Sequence, residues 1–364
     1  MEWNSLLRSS VIICSLLTLN GCNKQLTNQA VATHNVYNIA VSKATSNEIL
    51  LNIIRSYNHE APNFLAISSV TTSNSLQSPS ISISQQGFSG ANLLGNTTGS
   101  LTANGISFSP NITFTPNSGS EYANQLLNPL SMKNIGQIAY AENNIGLLLR
   151  LAVGKLGPWE NYPPIPMEHN LNNIIQNEKN FQSFCDTIQE VYANNGHRLY
   201  FNKISATTNQ NQSKQAKEST ALVIPISNTF SFNQKQLNLL KPLKIDNNSK
   251  SIKLSLSLDH IPNTIEITPR TLVSTLKYLS NMIEDVPHHP TIKTIQPIIS
   301  RNFFSIKTCK KEPDEAYVAI KKQGIWYYIS NDDEYSKQTF EALELLFNIT
   351  RIIPKNSSTV LISN

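Results

Sequence analysis

The chain has 364 residues, of which 40% are hydrophobic and 15% charged, with a formal net charge of +5. That length is enough for two modest domains. Asn, Ser, Thr and Gln stand where charged residues usually do, and aromatics do not interleave with the densest basic stretch, Lys203 to Lys253, which argues against a nucleic-acid groove.

In chain order, the first feature is an apolar run from Ser9 to Leu19, preceded by Arg8. At roughly 11 residues it is too short to span a membrane, which takes about 20. It reads as the core of a secretory signal peptide. Leu19-Asn20-Gly21-Cys22 closes it in the pattern of a bacterial lipobox, with Cys22 in the lipidated place, though Asn20 departs from the usual small or apolar residue. Residues 1–21 are then a signal peptide, and 22–44 a lipidated cysteine and polar tether. Acyl chains contribute about 0.8 kcal/mol per buried methylene, so two or more hold a protein stably on a membrane. Asn23 is not the Asp of inner-membrane retention. The expected location is therefore the periplasmic face of the outer membrane.

Thr45 and Glu48 have the spacing of a capping box. Ile49, Leu50, Ile53, Ile54 and Tyr57 follow at helical intervals. A strand is expected after Pro62. From Ala61 to Ser120 there is no Asp, Glu, Lys or Arg. Within that stretch "SISISQ" (Ser80 to Gln85) and "ISFSPNITFT" (Ile106 to Thr115) alternate apolar and hydroxyl residues. The alternation predicts one long uncharged β-hairpin with a tip at Gly87 to Gly105. Ile81 and Ile83 share one strand's face, and Ile106, Phe108, Ile112 and Phe114 the other's. Pro110 demotes the second strand to an edge or bulge. A lone hairpin is marginal in water. Its cover is to be sought in its own helices, in a partner's sheet edge, or in lipid, where each barrel strand needs about 9–11 residues.

Further on, Ser118 and Glu121 open a helix bearing Tyr122, Leu126 and Leu127. Ser131 to Gly157 reads as two helical pieces, and "PWENYPPIP" as a break. Asn170 to Asn195 is a long amphipathic helix stopped by Gly196. Strands are expected at Arg198 to Ile204, Ala221 to Ile226 and Ser251 to Leu258. Thr268-Pro269 begins a helix whose stripe is Leu272, Leu276, Leu279 and Ile283. Three strands follow, at Phe303 to Cys309, Ala316 to Lys321 and Ile325 to Ile329. A helix opened by Asn331-Asp332-Asp333 comes next, and a last strand at Thr359 to Ile362. Strands in neighbouring pairs indicate an α+β fold with antiparallel or mixed sheets and amphipathic helices. The expected domains are residues 45–160, with the hairpin between helices, and residues 161–364.

Little of this carries chemistry. No Gly-x-Ser-x-Gly, P-loop or Gly-x-Gly-x-x-Gly occurs, so no catalytic residue and no cofactor is assigned. Glu284, Asp285, His288 and His289 cluster in a Pro-flanked turn without His-x-x-x-His spacing, and no metal is assigned to them. Asp332 and Asp333 read as caps at a helix start. Arg55 sits near an apolar stripe. It is read either as a surface residue or as a buried anchor for Asp332 or Asp333. Cys185 and Cys309 either bridge or stay free.

Two stretches resemble a group of uncharacterised Gram-negative envelope proteins, several of them lipoproteins. Leu50, Leu51, Asn52, Ile53, Arg55, Phe64, Leu65, Ser68 and Ser69 match that group's opening motif. Trp326, Asp332, Asp333, Ser336, Lys337, Thr339, Phe340, Leu343, Leu346 and Phe347 match its close. "ITFTPNSGSEYANQLLNPL" is similar to its middle. The resemblance implies a shared fold and no known activity. By analogy, a lipobox, an Asn-rich α+β body and a charge-free hairpin also resemble accessory lipoproteins of outer-membrane secretion rings, including type IVB systems. The expectation is a non-enzymatic lipoprotein, held to the outer membrane by acyl chains, that joins protein partners in an envelope complex. The competing class is an enzyme or binding protein acting on a cell-wall or lipid ligand, which requires a pocket of convergent polar groups.

Overall fold

A computed structural model describes residues 35, 38–75, 80–84, 98–102, 107–116, 120–161, 171–205, 218–256, 263–284 and 303–350. The fold is α+β. The chain divides into two units: one holds Leu65–Asn117, the other Lys43–Phe64 with Ser118–Ile352. The dividing line therefore runs around the hairpin, and not at residue 160. A single apolar core extends from Ile49 to Phe347 and joins what the sequence suggested were two domains.

The larger unit, the body, begins at Lys43, within helix α1 (residues 38–57). Three helices follow the hairpin: α2 (Ser120–Leu127), α3 (Met132–Glu142) and α4 (Ile145–Ala152). Ser131 caps α3 by accepting the Asn134 amide, and Asn144 caps α4 by accepting that of Leu147. Asn143, left-handed at φ 51°, makes the corner between them. Asn tolerates that conformation better than most residues. The chain then forms β5 (Val153–Leu156) and β6 (Trp159–Glu160), followed by the long helix α5 (Leu171–Asn194). Gly196 (φ 74°) ends α5 as its sequence promised.

Next come β7 (Tyr200–Ser205), β8 (Glu218–Pro225), helix α6 (Gln234–Leu240), β9 (Ser251–Leu256), β10 (Ile265–Pro269) and helix α7 (Leu272–Ser280). Six strands make one sheet in the order β6-β5-β10-β9-β8-β7. Within it β9 and β10 are parallel and the other neighbours antiparallel. A second, three-stranded antiparallel sheet is formed by β11 (Lys307–Cys309), β12 (Ala316–Lys322) and β13 (Ile325–Ser330) in the order β11-β13-β12. Helix α8 (Glu334–Thr350) closes the described chain. Its residues Phe340, Leu343, Leu346 and Phe347 are buried at helical spacing.

The smaller unit contains four strands: β1 (Leu65–Ser75), β2 (Ser80–Ser84), β3 (Thr98–Thr102) and β4 (Ser107–Pro116). β1 pairs with β4 and β2 with β3, both antiparallel. The first ladder ends with Ser75 opposite Ser107, and the second begins with Ser80 opposite Thr102, an equal step along each arm. The two ladders therefore fall in the same register, the second nested within the first along the chain, and together they are called the ribbon. Among the described residues one bulge interrupts it, between Ile67 and Ser69.

Several expectations change. The strand "SISISQ" does not pair with "ISFSPNITFT". Its partner, β3, lies inside the stretch read as a Gly-rich tip, and β1 takes the place opposite β4. Helix α1 starts before Thr45, so the Thr45–Glu48 spacing is interior to it. Thr268-Pro269 ends β10, and the cap of α7 is Thr271, which accepts the Ser274 amide in a capping box. β5, β6, β10 and α6 had no counterpart among the expected elements. The expected strand at Thr359 to Ile362 lies outside the described residues.

Candidate functional site

The residues of the opening and closing motifs meet in the body. Asn52 has no exposed surface. Its Nδ2 donates to the carbonyls of Glu48 (3.0 Å) and Asn63 (2.8 Å), and its Oδ1 accepts the Asn63 amide at 2.8 Å. A single side chain thus fastens the exit of α1 to the chain entering β1. Arg55 is half-buried and adds to the same knot: its guanidinium donates to Asn52 Oδ1 and to the Asn63 carbonyl, each at 3.1 Å. Beyond Asn63, the Phe64 amide donates to the Tyr122 hydroxyl of α2 at 3.1 Å. The two ends of the chain that flank the ribbon are thereby brought together.

Arg55 does not pair with Asp332 or Asp333. Asp333 accepts the Ser336 amide (3.0 Å) and the Ser336 hydroxyl (2.6 Å), while Ser336 Oγ in turn accepts the Ser305 amide (2.8 Å). Asp333 is therefore an N-cap of α8 whose serine also pins Ser305, and Asp332 is exposed. The opening and closing motifs are nevertheless joined, by other contacts. Phe64 and Phe347 pack with ring centroids 4.7 Å apart and planes tilted by 40°. Ser46 Oγ donates to Glu344 Oε1 at 2.5 Å, and Lys322 Nζ meets Glu60 Oε1 at 2.5 Å. Burial, more than the neighbouring Glu341, raises the Glu344 carboxyl above its usual range, and the Ser46 hydrogen bond opposes that rise.

The strongest polar centre of the body is Arg270, which the sequence reading did not single out. It is 6% exposed. One guanidinium nitrogen donates to the carbonyls of Arg150 (3.0 Å), Leu151 (3.1 Å) and Val153 (2.9 Å), and the other donates to that of Asn161. The guanidinium carbon lies 3.8 Å from the centre of the Tyr278 ring. The first three carbonyls belong to the end of α4 and the first residue of β5, and Asn161 follows β6. A cation there complements the negative end of the helix dipole, and the planar fork reaches several acceptors at once. Asn161 assists, donating to the carbonyls of Arg150 (2.8 Å) and Val153 (3.0 Å). Burial lowers Arg270 to about 10, so it remains charged at neutral pH, and raises Tyr278 to about 12.

Cys185 is fully buried, and burial pushes its thiol up to about 12, opposite to what thiolate chemistry requires. Cys185 and Cys309 are both free, which resolves the alternative left open by their spacing. An open groove of about 510 Å³ lies between α5 and α6, with Asp186, Glu190, Lys235 and Gln236 in its lining. Its carboxylates are already engaged: Asp186 with Arg150 at 2.5 Å, and Glu190 with Gln236 at 2.6 Å. Among the described residues no group of three His, Cys, Asp or Glu is placed to hold a metal, and no helix is long and apolar enough to cross a membrane. Cys22, Ile106 and the Asp285-His288-His289 cluster lie outside the described residues.

Of the residues assigned to the interaction hairpin, Ile81 and Ile83 stand in β2, opposite Leu101 and Gly99. Phe108, Ile112 and Phe114 stand in β4, opposite Asn74, Val70 and Ile67. The two sets belong to different ladders. β1 and β4, at 11 and 10 residues, each reach the roughly 9–11 residues of a barrel strand.

Searches against protein-family models, curated proteins and solved structures find no match for this chain.

Proposed function

We propose that the chain is a lipoprotein held at Cys22 to the periplasmic face of the outer membrane, where it acts as a structural or assembly subunit of an envelope complex. The observation that carries this reading is the ribbon: two ladders in one register, drawn from a segment without a charged residue and belonging to a different unit from the tightly tied body. Among the described residues neither outer edge of the ribbon has a strand partner, and natural proteins usually protect such edges with charge or cover. An uncharged ribbon is suited to protein partners or lipid. The lipobox supports the address, and the resemblance to Gram-negative envelope lipoproteins supports both, with a secretion ring of type IVB kind as one such complex.

The test is a tagged full-length chain expressed in a Gram-negative host and recovered from detergent-solubilised envelopes. The wild type is expected to fractionate with the outer membrane and to bring ring-forming membrane proteins with it. Cys22→Ser is expected to lose lipid labelling and to appear in the soluble periplasm. Recovery of the wild type without any membrane protein would reject the assembly reading. Retention of Cys22→Ser in the outer membrane would reject the anchor.

A further inference from the structure

The two outer edges of the ribbon are not equivalent. In an antiparallel ladder, facing residues alternate between pairs that exchange two N–H···O=C bonds and pairs whose N–H and C=O groups point away from each other. Proline has no N–H, so a paired proline belongs to the second kind. Pro110 faces Thr72, and Pro116 faces Leu65. That fixes the phase of the ladder. Phe108, Pro110, Ile112, Phe114 and Pro116 turn their backbone groups to the outer edge of β4. Ile67, Val70, Thr72 and Asn74, opposite four of them, turn theirs to the outer edge of β1.

The β4 edge is therefore interrupted by Pro110 and Pro116, which offer no donor. The β1 edge has a donor at each of its outward positions from Ile67 to Asn74 and contains neither proline nor charge. Proline at an edge blocks strand addition, and an uncharged regular edge invites it. Neither edge carries a further strand among the described residues.

We infer that the β1 edge is a docking edge for the β1 strand of a second copy of this chain, giving a four-stranded sheet β4-β1-β1-β4. This deepens the assembly reading and rests on it. Three features favour a second copy. Antiparallel pairing centred on Thr72 sets Val70 of one copy opposite Asn74 of the other, so outward rows match outward rows and about six backbone hydrogen bonds form. A segment without charge has no electrostatic complement to select a different protein, and it also lacks the like-charge repulsion that identical strands would otherwise meet. Finally, the pairing is isologous and closes on itself. The edges left outermost are the proline-interrupted ones, so growth stops at two copies. A ring of ribbons, by contrast, would have to use the β4 edge.

Light scattering of the full-length lipidated chain in detergent tests this. The expected mass is that of two chains, halved by Thr72→Pro, which removes an outward donor and leaves the β1–β4 ladder intact. Thr71→Pro removes an inward donor opposite Asn111 and is expected to break the ribbon itself, seen as loss of β signal in circular dichroism. Independently of these substitutions, Thr72→Cys is expected to link copy to copy on a non-reducing gel. Residues facing each other in a bonded pair lie about 5.5 Å apart, within disulfide reach. A monomeric wild type, a larger ring, or a dimer indifferent to Thr72→Pro and unlinked through Cys at 72 would overturn the inference. A monomer that still brings envelope proteins with it would reject this pairing and keep the assembly reading.

Discussion

The body and the ribbon satisfy their backbones in opposite ways. In the body, chain ends and corners are tied by buried side chains: Asn52 closes the exit of α1, Arg270 gathers four carbonyls around the end of α4, and Ser336 joins the start of α8 to Ser305. In the ribbon, β1 pairs with β4 and β2 with β3, and among the described residues no further strand lies on either outer edge. A buried polar group is costly when its partner is removed, whereas a group facing water is not. The difference teaches where each region's sequence is under constraint: the body by its internal stability and, on the proposed function, the ribbon by what it joins.

That contrast can be broken from the body's side first. Arg270→Ala is expected to cost about 3–5 kcal/mol, because the carbonyls of Leu151 and Asn161 lose their donor inside the core and the ring of Tyr278 loses its stacked cation. Arg270→Lys should recover little, since an ammonium cannot span the fork's acceptors. Denaturant unfolding of the full chain measures both. Next in size is Asn52→Ala, expected at about 2–3 kcal/mol by the same assay, as the Asn63 amide loses its partner and the Asn63 carbonyl keeps only the Arg55 guanidinium. Arg55→Ala is expected to cost only about 0.5–1 kcal/mol, because its hydrogen bonds are partly exposed and Asn52 holds the knot without it. A loss of several kcal/mol there would reinstate a buried ion pair.

The Arg55 case shows what the sequence conveys and what it does not. Nearness of the opening and closing motifs was legible from two apolar stripes that each need cover, and Phe64 does meet Phe347. The particular polar partners were not. A charged pair looked the natural tie between distant segments, yet local groups three to eight residues away satisfied Arg55 first, and Ser336 satisfied Asp333. Arg270 went unnoticed because one arginine between a proline and an apolar helix looks like any surface cation. Its role comes from the carbonyls that a distant helix end presents to it. In the ribbon, period-two alternation identified β2 and β4 as strands but says nothing of register. β3, with glycines at Gly95 and Gly99 near and within it, resembled a loop until its partner was known. Helix signals that are purely local fared better: Gly196 ends α5, and Asn331-Asp332-Asp333 precedes α8.

Smaller effects sharpen the comparison further. The carboxyl of Glu344 titrates above its usual range in the folded protein, so the folded state binds its proton more tightly than the unfolded chain does. Stability is then expected to fall as pH rises from the ordinary carboxylate value through the raised one. Glu344→Gln should flatten that fall, and thermal melts across the range would show it; an unchanged profile would mean that another group sets the slope. Smallest of all is Ile83→Lys in the ribbon. It is expected to shift the unfolding midpoint of the body by no more than about 0.5 kcal/mol equivalent.

The most direct test replaces Leu65–Asn117 with a short Gly-Ser linker, which the closeness of Phe64 to Tyr122 in α2 allows. Denaturant unfolding of this chain, followed by tryptophan fluorescence, should match that of the same body in the full chain, while the protein no longer recovers envelope partners. A body that fails to fold without the ribbon, or an excised chain that still assembles, would contradict the division of labour between the two regions.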